Sequence, residues 1–406
     1  MPSFRPSSSR QRAKRRARRA RNSSSAIAAA ALTAVLALTA TACGPSDNEG
    51  GSDPSASANQ GSDDLALPSD LNNKLKDLGL DLDKWKDGAW KDFDKEWLRE
   101  AGDFINPIIE DLWDSDRMKD AEEPDQPVED DIAGDQNVTD PEPQPVDAQQ
   151  VKTPYSANVP EAGKVFFDGP DGSMVCSATV VKDPANPGKS NMLWTAGHCV
   201  HAGKGGGWYR NVMFVPSYND SGLSTAELEN ASKEEIAPKG LWWAEWAQTS
   251  DQWIKQGAKV GGQGAPYDFA VLKVKPEDGS DKSLEETIGG ALPVEFNAPA
   301  VKSIEDMTAT GYPAAPPFDG QSMHQCTDKP GRLSLDTAQP TMYRVGCRMT
   351  AGSSGGGWVA KGQDGQPALV SNTSIGPANG TWLAGPHLGE EAKGVYNAVS
   401  KKFANR

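Results

Sequence analysis

Asp268-Phe269-Ala270-Val271-Leu272-Lys273-Val274 sets a carboxylate at the head of an apolar run. A short run of β-branched and aromatic residues of this kind reads as a buried strand. Comparable runs recur at 164–167, 174–181, 192–194, 212–215 and 368–371, separated by Gly, Pro, Asn and Asp turns. No long helical pattern intervenes among them. The spacing therefore predicts an antiparallel all-β domain and argues against alternating βαβ units. A closing helix is expected over 390–403, with Ala392, Val395, Tyr396 and Val399 on one face.

Outward from this domain the chain changes character several times. Residues 119–150 hold eleven acids and five prolines, which predicts an extended acidic linker and a domain boundary near Val151. Residues 65–118 carry an amphipathic stripe, Trp90, Phe93, Trp97, Ala101, Phe104, Ile108 and Leu112, interrupted at Pro107. They read as a helical segment: a small stalk, or a propeptide-like cover for the rest. Residues 44–64 are Gly, Ser, Asp and Asn and read as a flexible spacer.

Residues 1–25 contain nine Arg or Lys and no acid, in a chain whose net charge is −15. A basic start alone fits nucleic acid, but the apolar run 26–42 follows at once, and basic-then-apolar is the layout of a secretion signal. The nucleic-acid reading is set aside. The run is long enough that an uncleaved membrane anchor is the alternative. Its end, Thr41-Ala42-Cys43, resembles a bacterial lipoprotein signal, so residues 1–43 are read as a signal with Cys43 the lipidation site. Ala40 departs from that pattern. Five cysteines then divide into one anchor plus four beyond residue 170, which matches two disulfides in an exported, extracytoplasmic domain.

Two further strings complete the pattern that Asp268 begins: Thr195-Ala196-Gly197-His198-Cys199 and Gly352-Ser353-Ser354-Gly355-Gly356. Histidine titrates near neutrality, an aspartate beside an apolar strand needs partners, and a serine among glycines is open to close approach. In the order His198, Asp268, Ser354 they point to a serine hydrolase. His201 could join His198 in binding a metal, but no third ligand of suitable spacing follows, so no metal or cofactor is expected. The same serine string also satisfies the nucleophile-elbow pattern of α/β-hydrolases, yet that fold needs a different residue order and βα periodicity.

Taken together, residues 151–406 resemble the bacterial secreted chymotrypsin-fold serine peptidases, of the trypsin-like and glutamyl-endopeptidase-like group. The resemblance implies two six-stranded antiparallel β-barrels followed by the C-terminal helix. It implies that Ser354 is the nucleophile in preference to Ser353, His198 the general base and Asp268 its orienting partner. The amides of Gly352 and Ser354 would form the oxyanion hole. Disulfides Cys176–Cys199 and Cys326–Cys347 follow from the same resemblance, although the sequence by itself permits three pairings. A specificity pocket is expected near Arg348, Met349 and Ser371, with the substrate-pairing strand near 371–375. Arg348 at its floor would favour an acidic side chain; the alternative is that it faces solvent or pairs with an acid.

Two departures from the family pattern stand out. Ser353 occupies the position where zymogens of this family carry an aspartate, so activation by a freed amine gripping that aspartate is not expected. The 69 residues between His198 and Asp268 hold Trp242, Trp243, Trp246 and Trp253, read as packing for an inserted loop. The functional expectation is a serine endopeptidase acting on peptide or protein substrates, membrane-attached through a lipid. A catalytically silent protease-like binding protein and an esterase are the alternatives.

Overall fold

The computed structural model describes residue 106 and residues 112–124, 127–128, 138–169, 172–296 and 299–404. The signal with Cys43, the spacer 44–64 and the helical stripe before Leu112 lie outside the described residues. Two short strands come first, β1 (Pro127–Val128) and β2 (Gln149–Gln150).

Strands β3 (Ala162–Gly169), β4 (Gly172–Val181), β5 (Met192–Thr195), β6 (Arg210–Pro216), β7 (Trp242–Thr249) and β8 (Ala270–Pro276) form a closed antiparallel barrel. Their order is β3-β4-β5-β8-β7-β6, with β6 returning to β3. Val165, Phe167, Cys176, Ala178 and Val180 share one packed cluster, while the alternate residues Phe166 and Val175 pack with Trp113, Tyr218 and Tyr312. Both faces are buried, which is why these strands read as continuous apolar runs. Each fully buried side chain of this size contributes about 1.5–3 kcal/mol.

β7 corrects the reading of the tryptophan cluster. Trp242, Trp243 and Trp246 belong to a barrel strand, not to an inserted loop. Trp242 packs in the cluster with Val165 and Cys176, and Trp243 in the one with Phe166 and Trp113. Trp253 follows on the short helix Asp251–Gln256, whose first turn is capped by Ser250 Oγ accepting from the Trp253 amide (3.0 Å).

The second half contradicts the expected pair of six-stranded barrels: among the described residues one barrel closes, and the second half does not form another. β9 (Met307–Gly311), β10 (His324–Asp328), β11 (Gly331–Leu333), β12 (Met342–Gly346), β13 (Gly357–Lys361), β14 (Pro367–Asn372), β15 (Gly376–Pro377) and β16 (Trp382–Pro386) divide among separate sheets. One sheet runs β14-β13-β9-β10-β2 and another β11-β12-β16. Competition for an edge explains the break. The outer edge of β10 is paired with β2, His324 opposite Gln150 and Gln325 opposite Gln149. The acidic stretch before β2 then lies along the seam. Asp140 chelates Arg332 (2.8 and 3.0 Å), and Val146 O accepts from the Arg348 amide (2.9 Å). Across the same seam Cys326 is bonded to Cys347.

Helix Glu390–Lys402 closes the chain, and Ala392, Val395, Tyr396 and Val399 are buried against Trp194, Phe269 and Leu388. At the other end, helix Ser115–Asp120 is anchored to the barrel. Trp113 Nε1 donates to Asn211 O (2.8 Å), and Arg117 pairs with the buried Asp168 (2.6 Å).

Candidate active site

β5 ends at Thr195, and a 3₁₀ turn, Gly197–Cys199, lifts His198 off the strand. A second 3₁₀ turn, Ala265–Tyr267, delivers Asp268 just before β8. The two side chains meet there: His198 Nδ1 donates to Asp268 Oδ2 (2.7 Å), and the His198 amide donates to Oδ1 (2.8 Å). Both residues are about 1% exposed. An ionised carboxylate so deeply buried needs partners, and a third is supplied by Ser374 Oγ, which donates to Oδ2 (2.6 Å). With the carboxylate accepting at Nδ1, that nitrogen carries a proton. Nε2 is buried and hydrogen-bonds to no protein group.

Ser354 lies on the turn between β12 and β13, and the barrel holds this turn closely. The Ser177 amide donates to Ser354 O (2.7 Å), and Ser177 Oγ donates to Gly352 O (3.0 Å). Thr195 Oγ1 in turn donates to Ser177 O (2.9 Å). Gly355 has φ +76°, and a Cβ there would stand 2.1 Å from Thr195 Oγ1 and 2.9 Å from the Ala196 amide nitrogen. Only glycine permits that approach, so the serine turn is pressed against the strand end that carries His198. No hydrogen bond joins His198 Nε2 to Ser354 among the described residues.

The two adjacent serines differ. Ser353 Oγ donates to Thr350 O (2.7 Å), whereas Ser354 Oγ makes no hydrogen bond among the described residues. The amides of the turn divide in the same way. Those of Ser353, Gly355 and Gly356 donate to Thr350 O, Thr373 O and Ser353 O, while those of Gly352 and Ser354 meet no protein acceptor among the described residues.

A cavity of about 230 Å³ adjoins Ser354. Met349, Thr373, Ile375, Gly376 and Trp382 line it. Arg348 and Ser371, expected with Met349 at a specificity pocket, do not. Arg348 points outward into a surface ion pair with Asp147 (3.1 Å), and Ser371 is buried with its hydroxyl donating to Pro386 O (2.7 Å). Arg348 stands away from the floor because the Val146 carbonyl holds its amide at the seam, turning its side chain to solvent beside Asp147.

Cys176 and Cys199 form the disulfide beneath His198 that the resemblance implied. These sulfurs and the His198 ring come together as a possible ligand set for a metal, but the disulfide consumes both thiolates. His201 is no ligand either. Its Nδ1 accepts from the Gly203 amide (3.0 Å), and burial, aided by Arg210, pushes its pKa down to about 4.

Ser177 escaped the sequence reading, and Asn372, Thr373 and Ser374, read there as part of a substrate-pairing strand near 371–375, were not expected to hold Asp268 and the serine turn. Asn372 Nδ2 donates to Asp268 O (3.0 Å), and its Oδ1 accepts from Trp194 Nε1 (2.9 Å). Their one signal was a polar run, Ser371 to Ser374, directly after an apolar strand. All four of its residues are buried.

Over 60% of its length the chain is similar to the crystal structure of a thermostable serine protease, AL20, from an extremophilic microorganism, at 32% identity and covering 97% of that protein (TM-score 0.47). The chain is related to the chymotrypsin-fold serine proteases. Protease Anisep from Arthrobacter nicotinovorans is similar at 27% identity, covering 62% of this chain and 99% of that one (TM-score 0.47). A Glu endopeptidase solved with MPD is 17% identical over 65% of this chain and 99% of its own (TM-score 0.44). No family model matches the chain, and no curated protein matches it. Within this serine-protease relationship, the His198–Asp268 pair occupies the barrel side of the site and the serine turn the sheet side.

Proposed function

We propose that the chain is an extracytoplasmic serine endopeptidase that cleaves peptide bonds through an acyl-enzyme. The observation that carries this reading is the buried Asp268–His198 pair, whose Nε2 is uncommitted, beside a serine turn with two uncommitted amides. In the first step His198 Nε2 takes the proton from Ser354 Oγ as Oγ bonds to the substrate carbonyl carbon. The carbonyl π electrons move onto oxygen, where the Gly352 and Ser354 amides stabilise them, each donor contributing about 3 kcal/mol. His198 then passes its proton to the leaving amine. Water repeats the sequence on the ester and frees the enzyme.

Of the residues lining the cavity Glu123 alone is charged, and the walls supplied by residues 349–383 carry no charge. An uncharged residue at the cleaved position fits them, and Arg348, on the surface, gives no support to an acidic one. Residues 1–43 act as the export signal with Cys43 lipidated, and 151–406 as the peptidase domain. Among the described residues no helix is long and apolar enough to cross a membrane. A fluorophosphonate reagent tests the enzyme reading: labelling is expected in the wild type and in Ser353→Ala, and lost in Ser354→Ala. Labelling that survives in Ser354→Ala overturns the assignment. Turnover of a peptide library against small esters distinguishes endopeptidase from esterase, and mass spectrometry of the mature N-terminus tests Cys43.

A further inference from the structure

Trp253 is buried and does not line the cavity beside Ser354, so it packs on the protein and not on a substrate. Its indole stands beside the His198 imidazole, with ring centroids 6.1 Å apart and planes tilted by 56°. That separation lies within the range of direct aromatic packing. The same indole spans the histidine turn. Nε1 donates to His201 O (2.8 Å), three residues beyond His198, and a Cβ on Gly197, the residue before it, would stand 2.9 Å from Trp253 Cγ. A residue without a side chain lets the turn settle that closely onto the ring.

The segment that carries Trp253 also grips the aspartate turn. Thr249 Oγ1 donates to Phe269 O (2.7 Å) and Ser250 Oγ to Tyr267 O (2.7 Å), the carbonyls of the residues on either side of Asp268. Ser250 Oγ at the same time accepts from the Trp253 amide (3.0 Å). Residues 249–253 therefore touch both ends of the turn that lifts the imidazole and both flanks of the carboxylate that receives it. Around the ring stand Asp268 at Nδ1, the Cys176–Cys199 disulfide, whose sulfurs lie within 4.8 Å of a ring nitrogen, and Trp253. One hydrogen bond fixes one nitrogen, and rotation about χ1 into another staggered well stays open to a histidine until neighbours fill the space. The indole fills the space beside this one.

Resting on the serine-protease reading above, we propose that Trp253 is a positioning residue: its indole, clasped to the histidine turn and carried by a segment anchored on both sides of Asp268, holds the His198 imidazole in the orientation that bonds Asp268. The indole itself meets neither substrate nor nucleophile. Its contribution to turnover passes through the aim of His198, and a general base displaced by a fraction of an ångström loses much of its effect.

The test compares the full chain as wild type, Trp253→Phe and Trp253→Leu. A proton held in a buried bond between imidazole and carboxylate gives a far-downfield proton NMR resonance, assigned here by its absence from His198→Ala. That resonance is expected to be sharp in wild type, weaker in Trp253→Phe, which keeps a ring but loses the bond to His201 O, and exchanged away in Trp253→Leu. Peptide kcat should fall by about three-fold in Trp253→Phe and about ten-fold or more in Trp253→Leu, with KM within about two-fold throughout. A resonance as sharp in Trp253→Leu as in wild type, or none in wild type, overturns the proposal whatever the turnover. Loss of the resonance with kcat within about two-fold of wild type overturns it as well. If Trp253→Leu does not fold, Trp253→Phe decides, and an unchanged resonance there refutes the clasp. Failure of the wild type to label with a fluorophosphonate counts against the protease reading instead, and the resonance still decides whether Trp253 holds the pair.

Discussion

Ser374 Oγ and His198 Nδ1 converge on one oxygen, Asp268 Oδ2, at 2.6 and 2.7 Å. With the His198 amide on the other oxygen, three donors hold the buried carboxylate. Removing one leaves a buried charge short of a partner at a cost of about 1–3 kcal/mol. Ser374→Ala is therefore expected to lower kcat by about ten-fold with KM little changed, because the orientation of His198 loosens. A purely structural role would lower Tm and leave kcat within about two-fold of wild type.

Ser177 ties the nucleophile turn to the barrel through Ser354 O and Gly352 O, and its Oγ also accepts from the Tyr312 amide (2.9 Å). Ser177→Ala leaves the backbone bond to Ser354 in place and removes the support of the Gly352 peptide. Because that peptide unit adjoins the Gly352 and Ser354 amides proposed as the oxyanion hole, kcat should fall by about ten-fold while KM changes little. A change confined to KM would show that Ser177 positions substrate and not the turn.

Arg348 and Asp147 form an exposed pair, 49% and 83% exposed at their side chains. Exposed pairs contribute about 0–1 kcal/mol. Arg348→Ala is thus expected to leave the ratio of kcat/KM between glutamate and neutral residues at the cleaved position unchanged within about two-fold. Cleavage-site profiling of a proteome digest by both proteins measures this, and loss of an acidic preference in the variant would return Arg348 to the pocket.

Lys164 is buried beneath the rings of Phe166 and Tyr218 with its Nζ donating to Gly320 O (2.9 Å). Burial pushes its pKa down from 10.5 to about 7, against the opposing pull of Asp319 and Glu123. Between those values the unfolded chain holds a proton that the folded chain does not. Stability from this group is complete above 10.5 and falls as pH drops towards 7, by up to about 1.4 kcal/mol per pH unit. His201 acts in the same direction lower down, its contribution falling from pH 6.5 to about 4. Denaturant unfolding at pH 7.5 and 9.5 should show the first slope in the wild type and its loss in Lys164→Met.

Much of the barrel was legible. The runs at 164–167, 174–181, 192–194 and 212–215 became β3 to β6, since strands buried on both faces announce themselves as unbroken apolar stretches. β7 was missed because tryptophans beside Ala, Glu and Gln resemble loop packing, and only pairing with β6 and β8 makes them a strand. Arg348 was not legible, because an offset from Ser354 says nothing of which way a side chain turns. The run through Ser374 reads only as a substrate-pairing strand, and its tie to Asp268 appears once the two segments are brought together.

From the order of its residues alone this protein has an all-β body, a closing amphipathic helix, two cysteine pairs, and a histidine, an aspartate and a serine each set in a recognisable local frame. Such features depend on neighbours within a few positions, and short-range patterns carry them. Tertiary structure alone decided that, among the described residues, one barrel closes and the other half divides into separate sheets, and that Pro127 and Val128 pair with Gly376 and Pro377. Both outcomes turn on which of several distant segments reaches a free strand edge. That contest involves partners as far apart as Val128 and Pro377, and no local pattern records its winner.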